Sequence, residues 1–156
     1  MHPRPLFIVG LLLSCTLAGV LTGCHATDSK NLPRISLGQL KPLVDLSARK
    51  PKALLLIDAR EKADFEKGHL PGARNFDESF FSKTRDPRIE QFEIVVAYGD
   101  DADSSEAKGV VRKMVELDHS DARFFAGGLE SWKRAKLPLE TGPGQPLPEV
   151  SYGARQ

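Results

Sequence analysis

Nine consecutive residues, Tyr98 to Glu106, hold the densest set of reactive side-chain types in this 156-residue chain. They read Tyr98-Gly99-Asp100-Asp101-Ala102-Asp103-Ser104-Ser105-Glu106. A nucleophilic Ser104 or Ser105 requires a positioned base. Asp101, Asp103 and Ser105 recur at i, i+2 and i+4, as in a calcium loop. However, the twelfth position counted from Asp101 is Arg112 instead of glutamate, and no glycine stands at the sixth. No metal or cofactor is therefore assigned. Asp103 with Glu106 three residues on forms a capping box, and acids at a helix start suit its dipole. That structural reading is preferred to a serine hydrolase. Thiol chemistry is excluded more firmly. The two cysteines are Cys15 and Cys24, and residues 25–156 contain none.

Both cysteines belong to an N-terminal targeting pattern. Arg4 supplies a basic start, and the apolar run Leu6 to Leu21 is shorter than the roughly 20 residues of a membrane span. It ends in Leu21-Thr22-Gly23-Cys24, which resembles the bacterial lipobox. That resemblance implies a signal peptide over 1–23, acylation at Cys24 and a membrane attachment through lipid. An ordinary secretory signal is the alternative, with a retained anchor third. His25 in place of aspartate after the lipidated cysteine implies the outer membrane over the inner, with the domain facing the periplasm. Removing 1–23 takes Arg4 and no acid from 22 Lys+Arg against 21 Asp+Glu, leaving 21 of each. No basic stripe points to nucleic acid, and no polybasic patch points to a charged membrane surface. Without thiols the exported domain cannot use disulfides, so packing alone must stabilise it.

The rest of the chain is long enough for one domain and too short for two. Residues 24–33 read as a polar tether, 34–141 as the folded body, and 142–156 as a Pro/Gly-rich tail that trails along the surface or into solvent. Within the body, Ser36 and Gln39 form a capping box ahead of Leu37, Leu40, Val44 and Ala48 at helical spacing. Ala53–Ile57 and Ile94–Ala97 are apolar runs of the kind buried on both faces of a sheet, and Phe124-Phe125 implies a third strand. Between them lie one or two helical turns over Glu61–Lys67 closed by Gly68, and a helix capped by Asp103 or Ser104 with Ala107, Val110, Met114 and Leu117 inward. Gly128–Ala135 reads as a last short helix. Alternating strands and helices give an α/β fold with a mainly parallel sheet and helices on both faces. Ligands in such folds bind at the carboxyl ends of the strands, here Asp58-Ala59-Arg60, Tyr98-Gly99-Asp100 and Gly127-Gly128.

Two motifs then resemble a known family. Leu56-Ile57-Asp58-Ala59-Arg60-Glu61, Phe65, and Gly68-His69-Leu70-Pro71-Gly72-Ala73-Arg74-Asn75 look like the first signature of rhodanese-like domains. Gly127-Gly128-Leu129-Glu130-Ser131-Trp132, followed by Leu137-Pro138, resembles the closing one. The resemblance spans Ile35 to Thr141 and implies a five-stranded parallel sheet flanked by helices. In active members a cysteine opens the loop after the fourth strand, and backbone amides, often with an arginine, cradle a persulfide. Here the resemblance puts Tyr98 at the cysteine position and Asp103 where the arginine often stands. A phenol cannot carry sulfane sulfur, and Gly99 to Ser104 contributes three aspartates where positive potential is needed. The resemblance therefore implies a degenerate sulfurtransferase acting as a binding or scaffolding module with a protein partner in the envelope. The alternatives are an enzyme using a non-cysteine group of the loop, or an accessory whose partner supplies the cysteine.

The other singled-out residues read as architectural. His69, the nearest base for Ser104 in the family fold, belongs to a structural turn with Gly68 and Gly72. Asp58 and Arg60 pair to brace the strand exit, and Trp132 is core. Phe80-Phe81 is expected half-buried, with an exposed partner patch as the alternative, and His119 solvated in a polar turn. Tyr98 either plugs the old pocket or lines a binding surface.

Overall fold

The computed structural model describes residues 31–81, 84–119 and 121–150. Cys24, the expected signal peptide and most of the tether lie outside the described residues. Five strands form one sheet: β1 (Arg34–Ile35), β2 (Leu54–Asp58), β3 (Arg74–Asn75), β4 (Ile94–Tyr98) and β5 (Ala122–Phe125). Their order is β1-β5-β4-β2-β3 and every pairing is parallel. The helices are α1 (Leu37–Ser47), α2 (Lys62–Lys67), α3 (Pro87–Glu90), α4 (Ser105–Glu116) and α5 (Gly128–Arg134), with a 3₁₀ turn at Glu78–Phe80.

Side-chain alternation along the strands splits the core in two. Leu55, Ile57, Val95, Ala97 and Phe124 pack against Ala107, Val110, Val111 and Met114 of α4. Leu54, Leu56, Val96, Tyr98 and Phe125 face the other way, against Leu40 and Val44 of α1, Phe65 of α2, and Leu129 and Trp132 of α5. Covering on both faces accounts for the unbroken apolar strands. At the start of α1, the Gln39 side-chain oxygen accepts from the Ser36 backbone N–H at 3.0 Å, as expected of the capping box. Ala48 departs from expectation: it is the exposed residue ending α1, so the inward stripe stops at Val44.

Residues flanking the 34–141 body on both sides make contacts with it. Leu32 is buried in the α4-side core, and the Pro33 carbonyl accepts from Phe124 N–H at 2.7 Å. Among the described residues beyond Thr141, 142–150, there is no helix or strand, and this stretch lies on the domain. The Arg74 Nε donates to the Pro146 carbonyl at 3.1 Å, and Leu147 is buried in the same core cluster. His119 corrects its expectation. Asp118 ends α4 in the left-handed region (φ 58°), which turns the chain so that His119 N–H reaches the Met114 carbonyl at 2.9 Å. The ring is thereby carried inward, and neither of its nitrogens has a hydrogen-bond partner among the described residues. Phe80 is half-buried and Phe81 buried, their rings meeting edge to face at 5.2 Å.

Candidate functional site

Asp58 and Tyr98 are directly paired residues at the carboxyl ends of adjacent strands. Around these ends the chain forms a cleft of about 800 Å³. One side is the β2 exit with Arg60, Glu61, Lys62 and Asp64; a second is Asn75, Phe76, Asp77, Ser79 and Phe80; the third is the β4 exit with Asp100, Asp101, Asp103, Ser104, Ser105 and Glu106. Parallel α/β topology alone predicts a cleft here.

The β2 exit is a closed network. Asp58 is 0 % exposed, a burial that a carboxylate tolerates only with strong partners. Its oxygens accept from Arg60 Nε at 3.0 Å and Nη2 at 2.6 Å, and from the Arg60 backbone N–H at 3.0 Å. The Arg60 side chain, 9 % exposed, also donates to the Gly68 carbonyl at 2.8 Å and to Asp100 Oδ1 at 3.3 Å. Burial works against the Arg60 charge, but the Asp58 carboxylate outweighs it and holds the guanidinium above its ordinary pKa. The Asn75 amide donates to the Asp58 and Arg60 carbonyls at 3.0 and 2.7 Å, fixing the turn. His69 is buried, stacked on Phe65 at 3.8 Å between centroids, with Nδ1 donating to the Phe65 carbonyl at 2.8 Å. It does not line the cleft, so among the described residues no imidazole lines it beside Ser104 or Ser105. Gly68 ends α2, and Gly72 makes the following turn in the left-handed region (φ 74°).

The β4 exit is open and acidic. Ser104, not Asp103, caps α4: its hydroxyl oxygen accepts from Ala107 N–H at 3.2 Å. Ser104 sits one residue closer to the helix, where its short hydroxyl reaches the third helical amide. Asp101 Oδ1 accepts from Asp103 N–H at 2.8 Å, so one loop carboxylate takes one loop amide. The hydroxyls of Ser104 and Ser105 donate to the Glu106 carboxylate at 3.1 Å each. Glu106 is held below the usual carboxylate range by its own backbone N–H and these two serines, and Asp77 likewise by Ser79. The loop carbonyls are also engaged, Gly99 with Leu129 N–H and Asp100 with Glu130 N–H, both at 2.9 Å. Gly127 and Gly128 open α5 at that junction. Gly128 has φ 56°, and any side chain there would collide with the Asp100 carbonyl. Trp132 is core, its Nε1 donating to the Pro138 carbonyl at 2.7 Å.

Tyr98 resolves the open alternative. It is 0 % exposed and does not line the cleft. Its ring packs in the α1–α5 core, and its hydroxyl accepts from Leu70 N–H at 3.0 Å. Burial lifts the phenol well above its usual pKa, and the Asp58 charge adds to this. Residue 98 is thus a core position beneath the loop.

The cleft therefore brings together Arg60, Asp100, Asp101, Asp103 and Ser104 and leaves Asp58, Tyr98, His69 and Trp132 behind it. Sequence reasoning missed Glu61, Asp64, Phe76, Asp77 and Ser79. Their signal is indistinguishable from solvated helix starts and a loop. Among the described residues no three His, Cys, Asp or Glu side chains are grouped to hold a metal, and no helix is long and apolar enough to cross a membrane.

Comparison with known proteins agrees with this geometry. A family model described as Rhodanese-like domain matches residues 41–135. The thiosulfate sulfurtransferase GlpE of Pseudomonas putida is 31% identical over 107 residues, covering 68% of this chain and 93% of that protein. Among solved structures, the Rhodanese-like domain of Anabaena sp Alr3790 superimposes with a TM-score of 0.51 at 19% identity, covering 80% of this chain and 92% of that one. A thiosulfate sulfurtransferase from Pseudomonas aeruginosa gives 0.56 at 15% identity, covering 78% of this chain and 22% of its own.

Proposed function

The chain belongs to the rhodanese-like domain family, and from that premise we propose a member without sulfurtransferase activity, lipid-anchored in the bacterial envelope, that serves as a binding or scaffolding module. The observation that carries this reading is the β4 exit. Sulfur transfer runs through a thiolate that takes up the sulfane sulfur. Residues 25–156 offer no thiol, and the residue matched to the nucleophile is Tyr98, buried in the core. The cleft lacks the compensating features of an anion site as well. Seven carboxylates line it against Arg60 and Lys62, and Arg60 is already bonded to Asp58 and Asp100. Like charge repels thiosulfate and persulfide alike. The cleft itself persists, and a binding module needs no more than that.

Attachment rests on Leu21-Thr22-Gly23-Cys24 behind the apolar run. Two or more acyl chains, at about 0.8 kcal/mol per buried CH₂, hold a protein on a bilayer without any helix. The decisive assay is thiosulfate:cyanide sulfur transfer by purified residues 25–156. Thiocyanate should not exceed the protein-free rate, and production proportional to protein would overturn the reading. In cells, Cys24→Ala should leave an uncleaved precursor; normal processing of that variant would remove the anchor.

A further inference from the structure

Resting on the reading of the cleft as a binding site, we propose that its ligand is a lysine- or arginine-rich extended segment of a protein partner. The site itself follows from topology: an 800 Å³ cleft stands at the carboxyl ends of a parallel sheet, where such folds bind. Its lining sets the ligand's chemistry. The carboxylates sit on three separate stretches of chain, around Glu61 and Asp64, at Asp77, and from Asp100 to Glu106. A ligand with one positive charge meets only one of these groups, whereas side chains spaced along a backbone meet all three. The aromatic pair Phe76 and Phe80, stacked at 4.2 Å between centroids, lines the same cleft. Phenyl faces attract ammonium and guanidinium groups and cover their aliphatic stems. Phe80 already does this within the chain, with the Arg88 guanidinium 5.7 Å from its ring centre.

Anionic ligands are the opposite case. They would meet seven carboxylates along the lining, and one loop amide, that of Asp103, is already taken by Asp101. Asp101 and Asp103 are exposed, and neither forms an ion pair among the described residues. They are available to an incoming cation.

The test is titration of residues 25–156 with a peptide of alternating lysine and alanine, alongside spermidine and thiosulfate. Peptide binding should weaken with salt. The triple variant Asp101→Asn, Asp103→Asn, Glu106→Gln should weaken it about tenfold, the combined effect expected of three exposed charge contacts. Neutralising carboxylates remote from the cleft, Glu93→Gln and Glu116→Gln, should leave it unchanged. Equal weakening by the remote pair, or no peptide binding, overturns the proposal. Spermidine binding as tight as the peptide overturns the peptide as ligand, and tighter thiosulfate binding overturns the sign of the site. The sulfurtransferase assay keeps the two readings apart: absence of both thiocyanate and peptide binding sinks only the cationic ligand, whereas thiocyanate production sinks the binding module.

Discussion

Neighbouring strands β2 and β4 end side by side at Asp58 and Tyr98, and their exits are built in opposite ways. The β2 exit is closed: Asp58, Arg60, Gly68 and Asn75 satisfy one another, and the ring of His69 is buried behind them. The β4 exit is open, with Asp101 and Asp103 exposed and bonded mostly within their own loop. Two contacts link them, Arg60 to Asp100 at 3.3 Å and the Ala59 N–H to the Tyr98 carbonyl at 3.0 Å. A closed network resists change because removing one member strands the others in a low-dielectric site. An open loop can change its chemistry while the scaffold stays. The stretches that resemble the family signatures, at β2 and α5, thus sit in packed surroundings, and the β4 loop between them is open.

The comparison breaks first at Asp58. Asp58→Ala leaves the Arg60 guanidinium buried without its carboxylate, which should cost about 3–5 kcal/mol in urea unfolding. A loss under about 1 kcal/mol would mean the network does not hold the exit. Tyr98 should be next. Tyr98→Phe removes the acceptor for Leu70 N–H, worth about 1–3 kcal/mol. The phenol's raised pKa gives that substitution a pH signature. Stability owed to the neutral phenol is fully present below the unfolded value of about 10 and is lost as pH rises from there toward the folded value. Tyr98→Phe should remove that part of the alkaline loss, and an unchanged alkaline slope would contradict the burial. The smallest effect is expected in the open loop. Asp101→Asn with Asp103→Asn should change stability by no more than about 0.5 kcal/mol, as surface changes usually do. A larger drop would make the loop part of the scaffold.

Helical spacing made α1 and α4 legible, and unbroken apolar runs made β2 and β4 so. The edge strands β1 and β3 have two residues each, too few for any alternation, and only the family resemblance implied them. The Asp58–Arg60 pair was readable because both residues belong to one local motif. The cleft's remaining walls were not, since Asp64 and Asp77 are brought beside the β4 loop only by the parallel crossovers. His119 misled because the three-residue stretch Asp118-His119-Ser120 is polar, while the left-handed turn at Asp118 that carries the ring inward leaves no sequence signal beyond an aspartate. Ser104 against Asp103 at the cap is a one-residue ambiguity that spacing alone does not break.

The central claim is that the nucleophile's position has been absorbed into the core beneath a loop of different chemistry. Its most direct measurement is the pH dependence of alkylation for Tyr98→Cys in residues 25–156, where the introduced thiol is the only one. Asp101→Cys serves as the exposed reference, and circular dichroism reports that both variants are folded. Burial in the α1–α5 core should hold the Tyr98→Cys thiol above a free cysteine's pKa of about 8.5, protected until the protein is denatured, with no sulfur taken up from thiosulfate. The Asp101→Cys thiol should react in the folded protein. Titration of the Tyr98→Cys thiol well below about 8.5, with persulfide formation in the folded state, would contradict the account and leave the domain one substitution from an enzyme.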